Sequence, residues 1–417
     1  MQLSNNTNKY KFIQGICFSI ISLNLLWAFF ADSRFGGLFS YACILMFGFM
    51  IINFCMNISN SMKYGTFLCY VSFVLWSLVM IIAYEYAYPI HSRATFLVMT
   101  MDSYAIFFVR LFVSVIPCMV FVDIHEFKSS KTLKIIIFII LATTLFFVSR
   151  AIAINPNALR ERALIEGEGY NYILLYTPAY AMTYSYALIL PVFLHKSFVT
   201  DGKTRIFYVV CTVMMAYIIF VAQYATALII AIIGIAVYLL LISSSVKRAY
   251  IILVMLLLWY IISALDGGAD IFRWLANQVD GVWSQKLNDI ALVLSGNSDT
   301  GSVSGRADLY RESFNSFLAS PVIGKFHKIS GTIGGHATAI DVLGMAGIVG
   351  FALMLLCFLT NFARFSSMKN FAESKPAIIA CVTEFIILIF FKNIITSMAI
   401  FFVYFVLIKY LLKLEEV

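Results

Sequence analysis

The chain has 417 residues, 62% of them hydrophobic and only 12% charged, with a formal net charge of +8. A soluble domain carries about twice that share of charge, so a soluble globular fold is excluded, and apolar runs of about 20 residues recur that are long enough to cross a bilayer as helices. The positive balance is that of a multispanning protein with basic residues gathered in its inner loops, and no nucleic-acid partner is implied.

Twelve spans are expected, at about 12–31, 37–56, 66–84, 103–122, 133–149, 171–194, 206–222, 225–242, 249–264, 337–360, 377–391 and 393–412. The first follows a short polar tail and lacks a small-residue cleavage site, which reads as a retained anchor. All eight cysteines (Cys17, Cys43, Cys55, Cys69, Cys118, Cys211, Cys357 and Cys381) fall in apolar runs, without metal-ligand or disulfide-framework spacing. The expected architecture is an all-α polytopic membrane protein. Its parts are 1–264 with nine spans and a smaller outer loop at 150–170, 265–336 as one large outer loop, and 337–417 with the last three spans.

An even count puts both termini on one side. With both inside, the inner segments hold sixteen Lys and Arg, against six in the short outer loops, as the positive-inside rule requires. The kind of cation differs too. The inner set is thirteen Lys and three Arg, whereas the outer set, long loop included, is eight Arg and four Lys. Topology needs charge but not guanidinium; Arg is favoured where a phosphate or carboxylate is held by a planar fork. An anionic ligand is expected at the outer face, the alternative being ordinary surface arginines in contact with lipid headgroups.

Two outer loops carry that expectation. The first, SRAIAINPNALRERALIEGEGY from Ser149 to Tyr170, holds Arg150, Arg160 and Arg162 around an Asn-Pro turn. The second, about Leu265 to Gly335, is far longer than a connector needs. Within it, IFRWLANQVDGVWSQKLNDIALVL has apolar residues at roughly helical spacing and reads as an amphipathic helix on a membrane surface or over a cavity. SGNSDTGSVSG is polar and Gly/Ser-rich, hence expected to be mobile. RADLYRESFNSFLASPVIGKF then resumes helical periodicity, with Arg306 at its start, Arg311 further along, and a stop at Ser320-Pro321. His327 follows, then GGHATAIDVLGMAGIVG, with His336 at the mouth of a span and Asp341 about a turn and a half deeper.

Within the spans, Arg110 and Glu384 are ionisable groups where such groups are costly and usually paired or functional; they are candidates for a purely structural role, to pair with each other, or to border a substrate path. His125 and His195 fall on the inner side.

The order Gly305-Arg306, Pro321 to Gly324, His336, Asp341 and Gly347 to Gly350 resembles the O-antigen polymerase and ligase superfamily. The specific likeness covers about Gly305 to Gly350, and the length, span count and large late outer loop extend it loosely to the rest. Members of that superfamily transfer a glycan from undecaprenyl diphosphate to an acceptor hydroxyl on the outer face of the bacterial cytoplasmic membrane. The resemblance implies a GT-C-like fold, a periplasmic active face, lipid-linked oligosaccharide and polysaccharide as substrates among membrane lipids, and a chain-length regulator and a flippase as further partners. Two departures stand out. Ala337 follows the histidine where the family often has Asn, and VAQYATALII has Gln223 and Tyr224 where ligases commonly carry Arg at the start of a middle span. The second departure favours the polymerase over the ligase.

Transfer from a lipid diphosphate needs donors that stabilise the leaving group as negative charge develops, and a positioned acceptor hydroxyl that gives up a proton. His336 is the expected base or donor, Arg306 the diphosphate ligand, and Asp341 an anchor or direct participant. Arg150, Arg160, Arg162, Arg311, His327 and Tyr224 complete the expected binding face. No metal and no cofactor is expected. For His336 the alternative is a structural hydrogen bond at a helix start, and for Arg306 a loop-to-helix salt bridge. An exporter or flippase is the alternative of another class; such proteins commonly have repeated halves, and no internal repeat is legible here.

Overall fold

The computed structural model describes parts of 12–26 and 68–79, positions 115, 119 and 159, and 131–154, 180–246, 248, 268–278, 282–295, 302–325, 333, 335–366, 368, 371–394 and 397–412. These residues are almost entirely helical, and no strand occurs among them. In chain order the helices are α1 (Lys131–Ile154), α2 (Tyr180–Val199), α3 (Gly202–Val221), α4 (Ala225–Ile242), α5 (Gly268–Ala276), α6 (Val282–Leu294), α7 (Ser302–Ala319), α8 (Thr338–Ser366), α9 (Phe371–Phe391) and α10 (Met398–Phe402). The last continues through a π-helical segment, Val403–Leu407, into α11 (Ile408–Leu412).

Five of these, α1, α3, α4, α8 and α9, are long and apolar enough to cross a membrane. Their outward faces carry Phe146, Val213, Phe220, Ile232, Ile348 and Leu356 exposed. Large aliphatic and aromatic groups all along a bundle's perimeter are costly in water and suited to lipid. Over its described residues this is an all-helical membrane protein. The expected spans at 37–56, 66–84, 103–122 and 249–264 lie wholly or largely outside those residues, and of 12–31 the described residues between 12 and 26 are helical.

α2 is the hub. It packs against α3, α4, α9 and the C-terminal helices, and Met182, Tyr186, Leu188 and Phe193 are buried around its circumference. A helix buried on all sides must satisfy its polar groups internally. Tyr186 does so through a 2.6 Å hydrogen bond to Thr144 of α1, and His195 Nδ1 lies 3.3 Å from the Tyr238 hydroxyl of α4. A second aromatic core joins α8, α9 and the C-terminal segment: Tyr404 stacks on Phe385 with centroids 3.8 Å apart and planes 7° from parallel, and Phe358 meets Phe385 edge-on. The π segment leaves carbonyls out of α-helical register. Buried Arg364 donates to that of Phe405 and to Asn361 Oδ1, while Asn361 Nδ2 donates to the Tyr404 carbonyl.

Several elements differ from the sequence reading. The stretch from Ile271 to Leu294 is two helices, α5 and α6, not one; α5 closes with Gln278 N–H donating to the Leu275 carbonyl, in a tighter turn than an α-helix makes, and the Asp280-Gly281 pair that follows is turn-forming chemistry. α7 begins at Ser302, so the last residues of the Gly/Ser-rich stretch are helical and Arg306 stands one turn inside. Its end at Ala319, just before Ser320-Pro321, is where the sequence places it. Arg110 lies outside the described residues. Glu384 is fully buried in α9, and among the described residues neither of its oxygens has a hydrogen-bond partner.

Candidate functional site

The segment from Pro321 to Gly350 is organised by a backbone crossing. α8 is interrupted at Gly347, whose φ of 61° and ψ of −167° no helix contains. In an unbroken helix the Ile348 N–H would donate to the Gly344 carbonyl. Here Ile348 N–H donates instead to the Pro321 carbonyl at 2.8 Å, and the Gly344 carbonyl accepts from Lys325 N–H at 3.1 Å. The Pro321–Gly324 turn thus takes over the bonds that the break releases. Such freed backbone groups must be paired when buried. The crossing requires glycine on both sides. A Cβ at Gly324 would overlap the Met345 carbonyl, and one at Gly347 would overlap the Val322 carbonyl; both residues also have positive φ, +72° and +61°. Gly344 faces α7 in the same way, where a Cβ would lie 2.5 Å from the Ser313 carbonyl oxygen.

Above this crossing the chain turns through Gly335, His336 and Ala337 into α8. Gly335 has φ of 72°, and His336 is exposed. Asp341, 1% exposed, does not point deeper into the helix. Its carboxyl reaches back to accept from Gly335 N–H at 3.2 Å and Ala337 N–H at 3.1 Å, and from the Ser313 hydroxyl of α7 at 2.7 Å. One buried acid therefore shapes the turn that presents His336 and ties it to α7. The connection after α9 grips the same turn. Asn393 Nδ2 donates to the Gly335 carbonyl at 2.9 Å, Thr338 Oγ1 accepts from Ile394 N–H at 2.9 Å and donates to the Lys392 carbonyl at 3.0 Å, and the Tyr310 hydroxyl of α7 reaches the Phe391 carbonyl at 3.4 Å.

An aromatic corner continues from Asn393. The Tyr180 hydroxyl at the start of α2 donates to the Asn393 carbonyl at 3.3 Å. The Tyr180 ring meets Tyr184 at 4.7 Å and, edge-on, Tyr224 at 5.9 Å between centroids. Tyr224 opens α4 after a turn in which Gln223 adopts φ of 58°, a left-handed conformation costing a non-glycine residue about 1–3 kcal/mol unless its surroundings enforce it. The Tyr224 hydroxyl donates to the Leu159 carbonyl at 2.8 Å. The starts of α2, α4 and α8, the end of α9 and the chain beyond α1 thus meet at one end of the bundle.

Of the residues singled out from sequence, His336, Asp341 and Tyr224 belong to this connected end. Arg306 lies on α7, seven residues before Ser313; its backbone is helical and its side chain lies outside the described residues. Arg311 is exposed and pairs with Asp308 at 3.6 Å on the same helix. Arg150 is exposed near the end of α1. Arg160, Arg162 and His327 lie outside the described residues. Sequence reasoning passed over Ser313, Thr338, Asn393 and Tyr180. The one available signal was the Thr338-x-x-Asp341 spacing of a capping box. The protein splits that box: Asp341 caps the N–H of Ala337, while Thr338 bonds outward to the Lys392 carbonyl and the Ile394 N–H in the connection after α9.

The arrangement presents one exposed imidazole on a turn whose backbone is held from three directions and which Asn393 links to Tyr180. It can donate or accept a proton at a fixed position, and among the described residues no group of three or more His, Cys, Asp or Glu side chains is placed to hold a metal. No model of a known protein family and no characterised protein matches the chain.

Proposed function

We propose that the protein is a surface-polysaccharide polymerase of the O-antigen type, which transfers a growing glycan from undecaprenyl diphosphate to the terminal sugar of a lipid-linked repeat unit. The reaction breaks the bond between the anomeric carbon and the diphosphate oxygen and forms one to the acceptor hydroxyl oxygen. Undecaprenyl diphosphate leaves, and the acceptor proton passes to a base or to water. His336 serves as that base or as a donor to the diphosphate, and Arg306 grips the diphosphate as its charge grows. Arg150, Arg160, Arg162 and Arg311 supply further anion contacts, and Tyr224 a sugar-facing wall. In this reading the His336 end of the bundle faces the periplasm, both termini are cytoplasmic, and twelve spans cross the inner membrane.

The observation that carries the reading is the joint use of the sequence pattern from Pro321 to Gly350. The two glycine motifs cross as backbone, and the acid between them holds the turn bearing the histidine. A protein that only spanned the membrane would have no need to hold an exposed histidine from three directions. The absence of Arg at Gln223 and Tyr224 favours a polymerase, which must hold two lipid diphosphates, over a ligase.

The test is reconstitution. Purified protein given lipid-linked repeat units should build a ladder of polymer by itself; a folded preparation that builds none would refute the polymerase. In cells that make O-antigen, deletion should leave lipopolysaccharide capped with a single repeat unit. Loss of every capped band with accumulation of lipid-linked polymer would indicate a ligase, and loss of both a flippase.

A further inference from the structure

Glu384 has none of its surface exposed, and neither carboxyl oxygen has a hydrogen-bond partner among the described residues. The space it fills is made by Gly234 of α4. A Cβ at that position would fall within the carboxyl group itself, overlapping Oε1 and Cδ. Glycine inside a helix costs about 1 kcal/mol relative to alanine, so α4 gives up helix stability at the position where α9 inserts an acid. Seven residues, about 10 Å at 1.5 Å each, separate Glu384 from the end of α9 that grips the His336 turn.

α9 packs against α2, α4 and α8, and its Phe385 stacks on Tyr404 of the C-terminal segment. The titratable groups along these elements are Tyr180, Tyr184 and Tyr186 on α2, Tyr238 on α4, Cys357 on α8, Cys381 on α9, and Tyr404 and Tyr410 on the C-terminal segment. His195 and the charged groups Lys196, Asp341, Arg364, Glu373, Lys375 and Lys409 stand toward helix ends. None donates a hydrogen bond to Glu384. Buried Ser185 on α2 has a hydroxyl that is likewise unpartnered among the described residues. An ionised carboxyl so placed is opposed by several kcal/mol of lost hydration, which only a positive species can offset. The species must also fit where even a Cβ would overlap, so a hydrated metal ion is too large.

We propose that Glu384, seated against Gly234, is a proton-binding site inside the bundle: the carboxyl holds a proton while in the α4 notch and exchanges it when the α4–α9 contact opens. The site is independent of the glycosyl-transfer reading.

An apolar carbodiimide, dicyclohexylcarbodiimide, tests it on the full-length chain in membranes. It adds whole across a C=N bond: the carboxyl oxygen bonds to the central carbon, the acid proton moves to a nitrogen, and nothing leaves. Mass spectrometry of the peptide carrying Glu384 should show one added reagent, with the labelling rate falling about tenfold per pH unit on the alkaline limb, as for a single proton. Glu384→Gln should abolish the label and leave the thermal midpoint unchanged, because a carboxamide has the shape of the neutral acid. Gly234→Ala should reduce the label at least tenfold in protein that remains monodisperse. Absent or pH-independent labelling of folded wild-type protein, protection by sodium ions, wild-type labelling in Gly234→Ala, or a large loss of thermal stability in Glu384→Gln would each overturn the proposal.

Discussion

The mouth of α8 and the seam between α4 and α9 both bury an acid, and they treat it in opposite ways. Asp341 accepts from two backbone N–H groups and a serine hydroxyl. Glu384, equally buried, accepts from none of the described residues. Glycines serve both places differently as well. Gly324, Gly344 and Gly347 let backbone meet backbone, whereas Gly234 lets a helix meet a carboxyl. The contrast teaches that burial alone does not tell what an acid is for. An acid whose acceptor capacity is used up by its neighbours is a strut, and one left with open capacity can act on something that arrives.

The largest effect should come from the crossing beneath the first acid. Gly347→Ala adds a Cβ that overlaps the Val322 carbonyl and forces a side chain into positive φ. The strain of about 1–3 kcal/mol and overpacking of about 1–3 kcal/mol together should leave little folded protein, read as a loss of the monodisperse peak in detergent. Wild-type yield would mean the α8 break is not needed.

Asp341→Ala should come next. It removes the shared acceptor of two backbone N–H groups and a hydroxyl, at about 1 kcal/mol for each bond, and should lower the thermal midpoint more than Glu384→Gln. Asp341→Asn keeps one acceptor oxygen and should fall between. If Asp341→Ala were as stable as the wild type, the contrast between strut and open acid would collapse.

His336→Ala sharpens the comparison from the functional side. His336 is exposed, so its removal should leave the midpoint within about 0.5 kcal/mol of wild type, the range for surface changes, while polymer formation falls roughly a hundredfold or more. Activity retained in that variant would remove His336 from the mechanism and leave Asp341 supporting only a turn. Asn393→Ala should cost about 1 kcal/mol for its bond to the Gly335 carbonyl and reduce activity through looser placement of His336. The smallest effect is expected for Asp308→Ala, whose pair with Arg311 is exposed on both sides and stabilises by at most about 0.5 kcal/mol.

The helices were legible because their signal is local. The expected 225–242 is α4 to the residue, and α7 ends where Ser320-Pro321 says it must. Boundaries failed where the chain is held from elsewhere. α9 begins at Phe371, six residues before the expected span, because Lys375 can sit in a helix that projects beyond the apolar run. His336 stands just outside α8, as the expected 337–360 has it, but spacing did not tell that the Asp341 carboxyl turns back to the turn carrying it. Ser313 and Asn393 carry no local mark, and their partners lie 28 and 58 residues away.

Composition and periodicity by themselves determined the all-helical membrane class, since an apolar run of about 20 residues can satisfy its backbone in lipid only as a helix or within a closed barrel. They also picked out the glycine, histidine and aspartate pattern near α8. Only the tertiary structure decided what each glycine is for, which acid is satisfied, and that the chain beyond α1 and the starts of α2, α4 and α8 meet at one end. Those outcomes depend on which backbone or side chain approaches from another helix. A linear pattern reports the residue that permits the approach, but not the partner that makes it.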